Sequence, residues 1–247
     1  MEVRRHRTRA LLAIFGALLA VGASARVRSS RSLGTPRGAV ATPPHVEGVG
    51  VLRLLVPHSA GAIVLDGDID DPGWTPPGGP ARSGTFALPR GVPGRPYSDA
   101  RFVWGDRHLY VALYAADEDI RSVVESHDGP LWLGDSFHMV FEREGNERTI
   151  DVSPTGTVTD ALRRAGGPFD YSWESGAHVS TEVDGTVNLS SDADEEWVIE
   201  MAIPLDSLGM TSEPGESTAF SVQRCDAASH GARVCAGWAN GELELAR

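Results

Sequence analysis

The 247-residue chain contains no lysine; all 22 of its basic side chains are arginine. That absence points to a GC-rich coding sequence rather than to a chemistry. Cysteine is nearly missing as well, with Cys225 and Cys235 the only two. No Cys/His spacing of the zinc-binding kind is present. No long stretch keeps a 3.6-residue hydrophobic period with caps, and no solenoid-type repeat is visible. Recognisable catalytic motifs are also lacking. "DSFH" has no flanking glycines of a nucleophile elbow. Acids are plentiful, but a glycosidase needs two placed across a cleft, and the sequence shows no such pair. The expectation is a protein without catalysis of its own.

Positive charge is scarce where the folded domain should be. Residues 1–58 carry nine arginines against Glu2 and Glu47, whereas residues 59–247 carry 13 arginines against 32 acids. A domain this acidic repels phosphate backbones, so nucleic acid is not an expected partner. Divalent cations or neutral ligands suit it better.

The N-terminus reads as a leader. "MEVRRHRTR" is a basic segment, and "ALLAIFGALLAVGASA" (Ala10–Ala25) is uncharged but short for a membrane span. Ala23-Ser24-Ala25 has the small-x-small form of a cleavage site. Residues 1–25 are therefore expected to be a signal peptide, the alternative being an uncleaved anchor helix. No cysteine near the cleavage point offers a lipid anchor. The mature protein is expected to be secreted or periplasmic, with no stable membrane insertion. Residues 26–58 begin with an Arg-, Ser-, Gly- and Pro-rich linker; "VLRLLVP" (51–57) is either a first strand or the last piece of tether. An exported chain meets oxidising conditions, so Cys225 and Cys235 are expected to form a disulfide.

From Ser59 to Arg247 the chain reads as short strands between turn signals. "ARFVWGDRHLYVALYAAD" is a hairpin with Phe102 and Trp104 on one arm and Leu109, Val111 and Leu113 on the other. "DSFHMVFE" alternates Phe137, Met139 and Phe141 against Ser136, His138 and Val140. "RTIDVSPTG" turns Ile150 and Val152 inward, and "EEWVIEMAIPLDSLG" does the same with Trp197, Ile199, Met201 and Ile203 before Pro204 ends the strand. "AFSVQRC" and "ARVCAGWA" form a last hairpin whose adjacent arms carry the two cysteines, and "GELELA" is a closing strand. The fold class is all-β: a single antiparallel β-sandwich of jelly-roll type.

Taken in order, "AIVLDGDIDDPGW", "DARFVWGDRHLYVALYAADEDI", "PLWLGDSFHMVF", "IDVSPTG" followed by Asp160, "WVIEMAIPLDSLG" and a terminal hairpin with Arg224 and Trp238 resemble carbohydrate-binding module family 9 over about residues 60–247. The resemblance implies a β-sandwich that binds sugar of the glucan or xylan class between two tryptophans, with calcium in a structural role. Trp132 matches the first tryptophan. An indole suits the apolar C–H face of a pyranose, and polar side chains on the adjacent strand fix the hydroxyls. The expected ligand-binding set is Trp132, Asp135, His138, Asp151 and Ser153. The chain departs from the family at three places. Trp238 is followed at once by "ANGELELAR", without the loop that carries the second tryptophan. His138 stands where the family has glutamate. Asp151 and Ser153 stand where sugar-binding members have arginine and asparagine.

Each reading has a plainer one beside it. Trp132 is either a stacking platform or a lid over the sandwich end. Phe169, Tyr171 and Trp173 either rebuild a second aromatic wall or form an ordinary edge strand, and Trp74, Trp104, Trp197 and Trp238 are expected mainly in the core. For calcium the candidate ligands are Asp66, Asp68 and Asp70 of "LDGDIDD", and Asp117 and Asp119, although Asp-Gly turns and caps account for most such aspartates. Haem is not expected, because the adjacent His138 and Met139 point to opposite faces of a strand and cannot share an iron. Functionally, a carbohydrate-binding domain stands against a module that has kept its fold, lost its sugar and serves as an envelope or surface protein-interaction domain.

Overall fold

The computed structural model describes residues 52–105, 107–227 and 233–247, the side chain of Asn240 excepted. The expected signal peptide and most of the linker lie outside the described residues.

Among the described residues there are fourteen strands: β1 (Leu52–Val56), β2 (Ala81–Arg82), β3 (Ala87–Leu88), β4 (Val92–Pro93), β5 (Ser98–Trp104), β6 (His108–Ala116), β7 (Ser136–Arg143), β8 (Asn146–Val152), β9 (Val158–Arg164), β10 (Phe169–Asp170), β11 (His178–Asp184), β12 (Glu196–Pro204), β13 (Ser217–Asp226) and β14 (Val234–Leu245). They form two sheets. The larger runs β10-β9-β8-β7-β13-β14-β3-β4, with β1 also on β14; the smaller runs β11-β12-β6-β5-β2. Strand pairing is antiparallel except for β1 and β14, which run parallel with Leu52 opposite Gly241 and Val56 opposite Leu245.

Alternation explains the sandwich. Phe137, Met139 and Phe141 of β7, Ile150 and Val152 of β8, and Phe220 and Val222 of β13 project inward from the larger sheet. Phe102, Val111, Leu113, Trp197, Ile199 and Met201 meet them from the smaller one, all in a single buried cluster. Side chains with a period of two have one wet face and one dry face, and two such dry faces make one core. The expected hairpin is present, with Phe102 opposite Val111 and Trp104 opposite Leu109.

Two boundaries differ from expectation. Leu52–Val56 is a strand, with Leu54 and Val56 buried, so the sheet begins inside the stretch assigned to the linker rather than at Ser59. The closing "GELELA" is not a separate strand either, because β14 continues without a break from Val234 to Leu245. Trp238 folds over Gly241, where a Cβ would come within 1.8 Å of the indole, and packs on Phe220 at 5.9 Å between ring centres. Only glycine leaves room for that contact.

The two outer faces are unequal. On the smaller sheet, Trp74, Val103 and Ala112 form a second buried cluster with Ile63, Ile69 and Tyr110 packed against it. Glu200, fully buried on β12, binds that covering segment: its carboxylate accepts the Trp74 indole N–H at 2.8 Å and the amides of Asp66 and Gly67 at 3.1 and 3.2 Å. On the larger sheet, β7, β13 and β14 with the β3–β4 hairpin line an open groove.

Candidate functional site

Trp132 lies three residues ahead of Asp135, in a single 3-10 turn, Leu131–Leu133. A turn this short buries one side chain and turns out the next two. Leu131 is the anchor at 2% exposure, while Trp132 is 59% exposed. This excludes the lid reading. Gly134 then lets the chain pass the Arg121 carbonyl, which a Cβ would approach to 2.7 Å.

Beyond that turn, β7 carries His138 and Val140 on its outward face. His138 Nδ1 lies 3.0 Å from Asp151 Oδ1 on β8, its register partner. Burial works to lower the imidazole pKa, but the hydrogen bond and charge of Asp151 outweigh it and hold His138 above its usual value. On the other side, β13 places Gln223 opposite His138. His138, Val140, Ser221, Gln223 and Gly237, with Leu88 of the β3–β4 hairpin as a rim, line a groove of about 450 Å³, within the ordinary size range of a ligand cleft.

Arg233 joins the tryptophan turn to this strip. Its guanidinium donates to the Trp132 carbonyl, to the Gly134 carbonyl at 3.3 Å and to Ser136 Oγ at 3.1 Å. Burial lowers its pKa, opposed by the charges of Asp151 and Asp135. The strip therefore offers an imidazole–carboxylate pair, an amide and a guanidinium, with an exposed indole on the turn that precedes it. That combination can stack a flat apolar surface and hydrogen-bond a polyol.

Two of the five expected ligand residues do not belong to this face. Asp135 is buried; Oδ2 accepts the Arg121 amide at 2.6 Å and Oδ1 the Ala227 amide at 2.7 Å. Burial, with Asp117 nearby, pushes its pKa up to about 7. It fixes the backbone around the tryptophan turn and offers no free oxygen to a sugar. Ser153 is buried too. Its Oγ lies 3.1 Å from Thr155 Oγ1 and accepts the Thr157 amide at 3.2 Å, because the chain turns directly after Val152 instead of continuing the strand. Gln223 and Arg233 were not legible as site residues. Alternation along β13 turns Gln223 outward, but only the pairing of β13 with β7 sets it beside His138.

Three of the five expected calcium ligands make contacts within the protein. Asp66 Oδ1 accepts the Asp68 amide at 3.0 Å in a tight turn. Asp117 is buried, with Oδ2 accepting Arg224 Nη2 at 2.7 Å and the Trp197 indole N–H at 3.1 Å. Asp119 lies 3.2 Å from Arg121 Nε. Among the described residues, one trio of His, Cys, Asp or Glu brings donor atoms within 4.8 Å of one another, and it contains none of Asp66, Asp68, Asp70, Asp117 or Asp119. Asp117 and Asp119 border a larger cavity of about 700 Å³ with Tyr97 and Asp226. At the edge of the larger sheet, Phe169 of β10 takes the Arg163 guanidinium at 4.9 Å and lies 6.3 Å from the Tyr171 ring between centroids. The two cysteines are register partners on β13 and β14 and are joined as a disulfide.

No family model and no curated protein matches the sequence. Solved structures do match the fold. A candidate carbohydrate-binding protein from Bacteroides uniformis superimposes with a TM-score of 0.59 at 12% identity, covering 79% of this chain and 100% of that one. A family 9 carbohydrate-binding module from Caldicellulosiruptor kristjanssonii in complex with cellotriose gives 0.52 at 18% identity, covering 78% and 93%. The same kind of module from that organism in complex with glucose gives 0.51 at 19% identity, covering 79% and 96%. The described domain has the fold of a family 9 carbohydrate-binding module.

Proposed function

We propose that this domain binds a saccharide of the glucan or xylan class, without catalysis, on the outer face of the larger sheet. The observation that carries the reading is the Trp132 indole, 59% exposed on a turn held by Arg233 at the head of the His138–Asp151 strip. The sugar ring stacks on the indole through its C–H face, while His138, Asp151, Gln223 and Arg233 exchange hydrogen bonds with its hydroxyls. The fold shared with modules that hold cellotriose and glucose supports the same reading. One tryptophan replaces the family's two, so affinity is modest. The leader expected over residues 1–25 makes a secreted or periplasmic setting part of this proposal.

Calorimetric titration with xylo- and cello-oligosaccharides tests it. Binding in the micromolar to millimolar range, weakened at least about tenfold in Trp132→Ala, is the expected result. A folded protein that gives no heat with any of these sugars refutes the assignment and favours the protein-interaction alternative.

A further inference from the structure

Away from the Trp132 face, at the edge of the sandwich where β9 comes near β11, lies a polar cavity of about 430 Å³ lined by His127, Asp160 and Glu174 among others. Three remote stretches of chain meet there. The Ser126–Gly129 turn is tied to β9 by the Asp128 amide on the Val158 carbonyl at 3.1 Å and by Thr159 Oγ1 on the Gly129 carbonyl at 2.6 Å. This sets His127 and Asp128 beside Asp160, and a donor atom from each lies within 4.8 Å of the other two. Glu174 comes from the segment after β10, with Oε2 3.5 Å from His127 Nε2.

Asp160 is the unusual member. It stands opposite Ile150, on the face of β9 that looks into the sandwich, and is 1% exposed. Oδ2 accepts the Ser175 amide at 2.7 Å, but Oδ1 is buried with no hydrogen-bond partner. A carboxylate taken out of water with a bare oxygen is costly unless a cation or donor answers it. None of the described side chains supplies a hydrogen bond to that oxygen. A carboxylate oxygen of Asp160 has an imidazole nitrogen of His127 and a carboxylate oxygen of Asp128 within 4.8 Å.

We propose that His127, Asp128 and Asp160 bind a divalent transition-metal ion of the zinc class. One imidazole nitrogen with two carboxylates suits zinc and its first-row neighbours, whereas calcium takes an all-oxygen shell of six to eight ligands. The two ring nitrogens divide the work. Nδ1, 3.2 Å from Asp128 Oδ2, faces the ion, and Nε2 is oriented by Glu174, a carboxylate behind a ligand histidine. Water completes the shell from the open cavity. The ion ties the Ser126–Gly129 turn to β9 only a few residues ahead of Trp132. The site stands whether or not Trp132 binds sugar.

The test uses the untagged full chain, stripped with chelator and titrated with zinc chloride alone, then with cobalt chloride to read ligand-field absorption. One zinc per chain, cobalt bands of a low-coordinate N/O site and a loss of at least about tenfold in affinity in both His127→Ala and Asp160→Asn are expected. His138→Ala, which alters the other imidazole–carboxylate pair, keeps the site. Zinc binding that survives His127→Ala, that disappears in His138→Ala instead, or that never exceeds calcium binding overturns the proposal. His127 is exposed, so its substitution leaves the fold intact and the test remains decisive even if Asp160→Asn fails to fold.

Discussion

Replacing Arg224 with leucine should be the most damaging single change away from the core hydrophobes. Arg224 and Asp117 are 3% and 4% exposed, and their Nη2···Oδ2 distance is 2.7 Å. The same guanidinium donates to the Ala116 carbonyl at 3.1 Å, lies 3.5 Å from Asp226 and sits 6.0 Å over the Trp197 ring. It thereby joins β13 of one sheet to the end of β6 in the other. Leucine keeps an apolar stem but removes the cation, leaving the Asp117 carboxyl buried without its partner and with Asp226 and Asp135 close by. An orphaned partner of a buried pair costs about 3–5 kcal/mol, which at about 2–4 °C per kcal/mol for a domain of this size lowers Tm by roughly 6–20 °C. Urea unfolding followed by tryptophan fluorescence reads the loss directly, with an unchanged m-value showing that the denatured state is the same. Adding Asp117→Asn to Arg224→Leu should recover at least about half of it, since the two residues act as a unit. A loss below about 1 kcal/mol in the single variant, or no recovery in the double one, refutes the reasoning.

Three other outcomes follow from the geometry. Asp135 has its pKa pushed up to about 7 by burial and by Asp117, so between about pH 4 and pH 7 the native state holds a proton that the unfolded chain releases. Its contribution to stability therefore falls by about 1.4 kcal/mol per unit as pH rises through that window and levels off above it. Denaturation curves at pH 5 and pH 8 should differ less in Asp135→Asn than in the wild type, and an equal difference contradicts the assignment. Converting Cys225 and Cys235, ten residues apart in sequence, to serine should cost about 2–3 kcal/mol by releasing a short closed loop in the unfolded chain, as chemical denaturation would show. Asp151→Asn should lower the His138 pKa, because the hydrogen bond and charge that outweigh burial are removed. An NMR titration of the imidazole that does not move downward counts against the pair.

Strand identity was legible wherever one face alone is apolar, as in β7, where Phe137, Met139 and Phe141 alternate with polar neighbours. Such a pattern is local and survives without knowledge of partners. Leu52–Val56 left its status open because a five-residue segment with two buried leucine or valine positions reads equally as tether until β14 is placed beside it. Trp132 was visible as a candidate from its Gly/Pro surroundings, but its exposure depends on Leu131 anchoring the turn. Asp135 and Ser153 were misplaced for one shared reason: their partners are backbone amides, which every residue but proline carries and which no side-chain pattern reveals. Gln223 and Arg233 join the face only through strand register and the return of the chain after β13. His127 and Asp160 are 33 positions apart in the sequence and had no spacing to announce them.

The parallel contact between β1 and β14 has a mechanical meaning. Leu52, where β1 begins, lies level with Gly241, and Val56, where it ends, lies level with Leu245. A tether drawn on the chain ahead of Leu52, resisted through the chain beyond Leu245, therefore slides the two strands lengthwise past each other. All five paired positions share the load at once, whereas the opposite orientation would open them singly from one end. A module held at its leading end would meet drag on the rest of the domain in this sheared geometry, and the strand that first looked like linker would be the part that resists it.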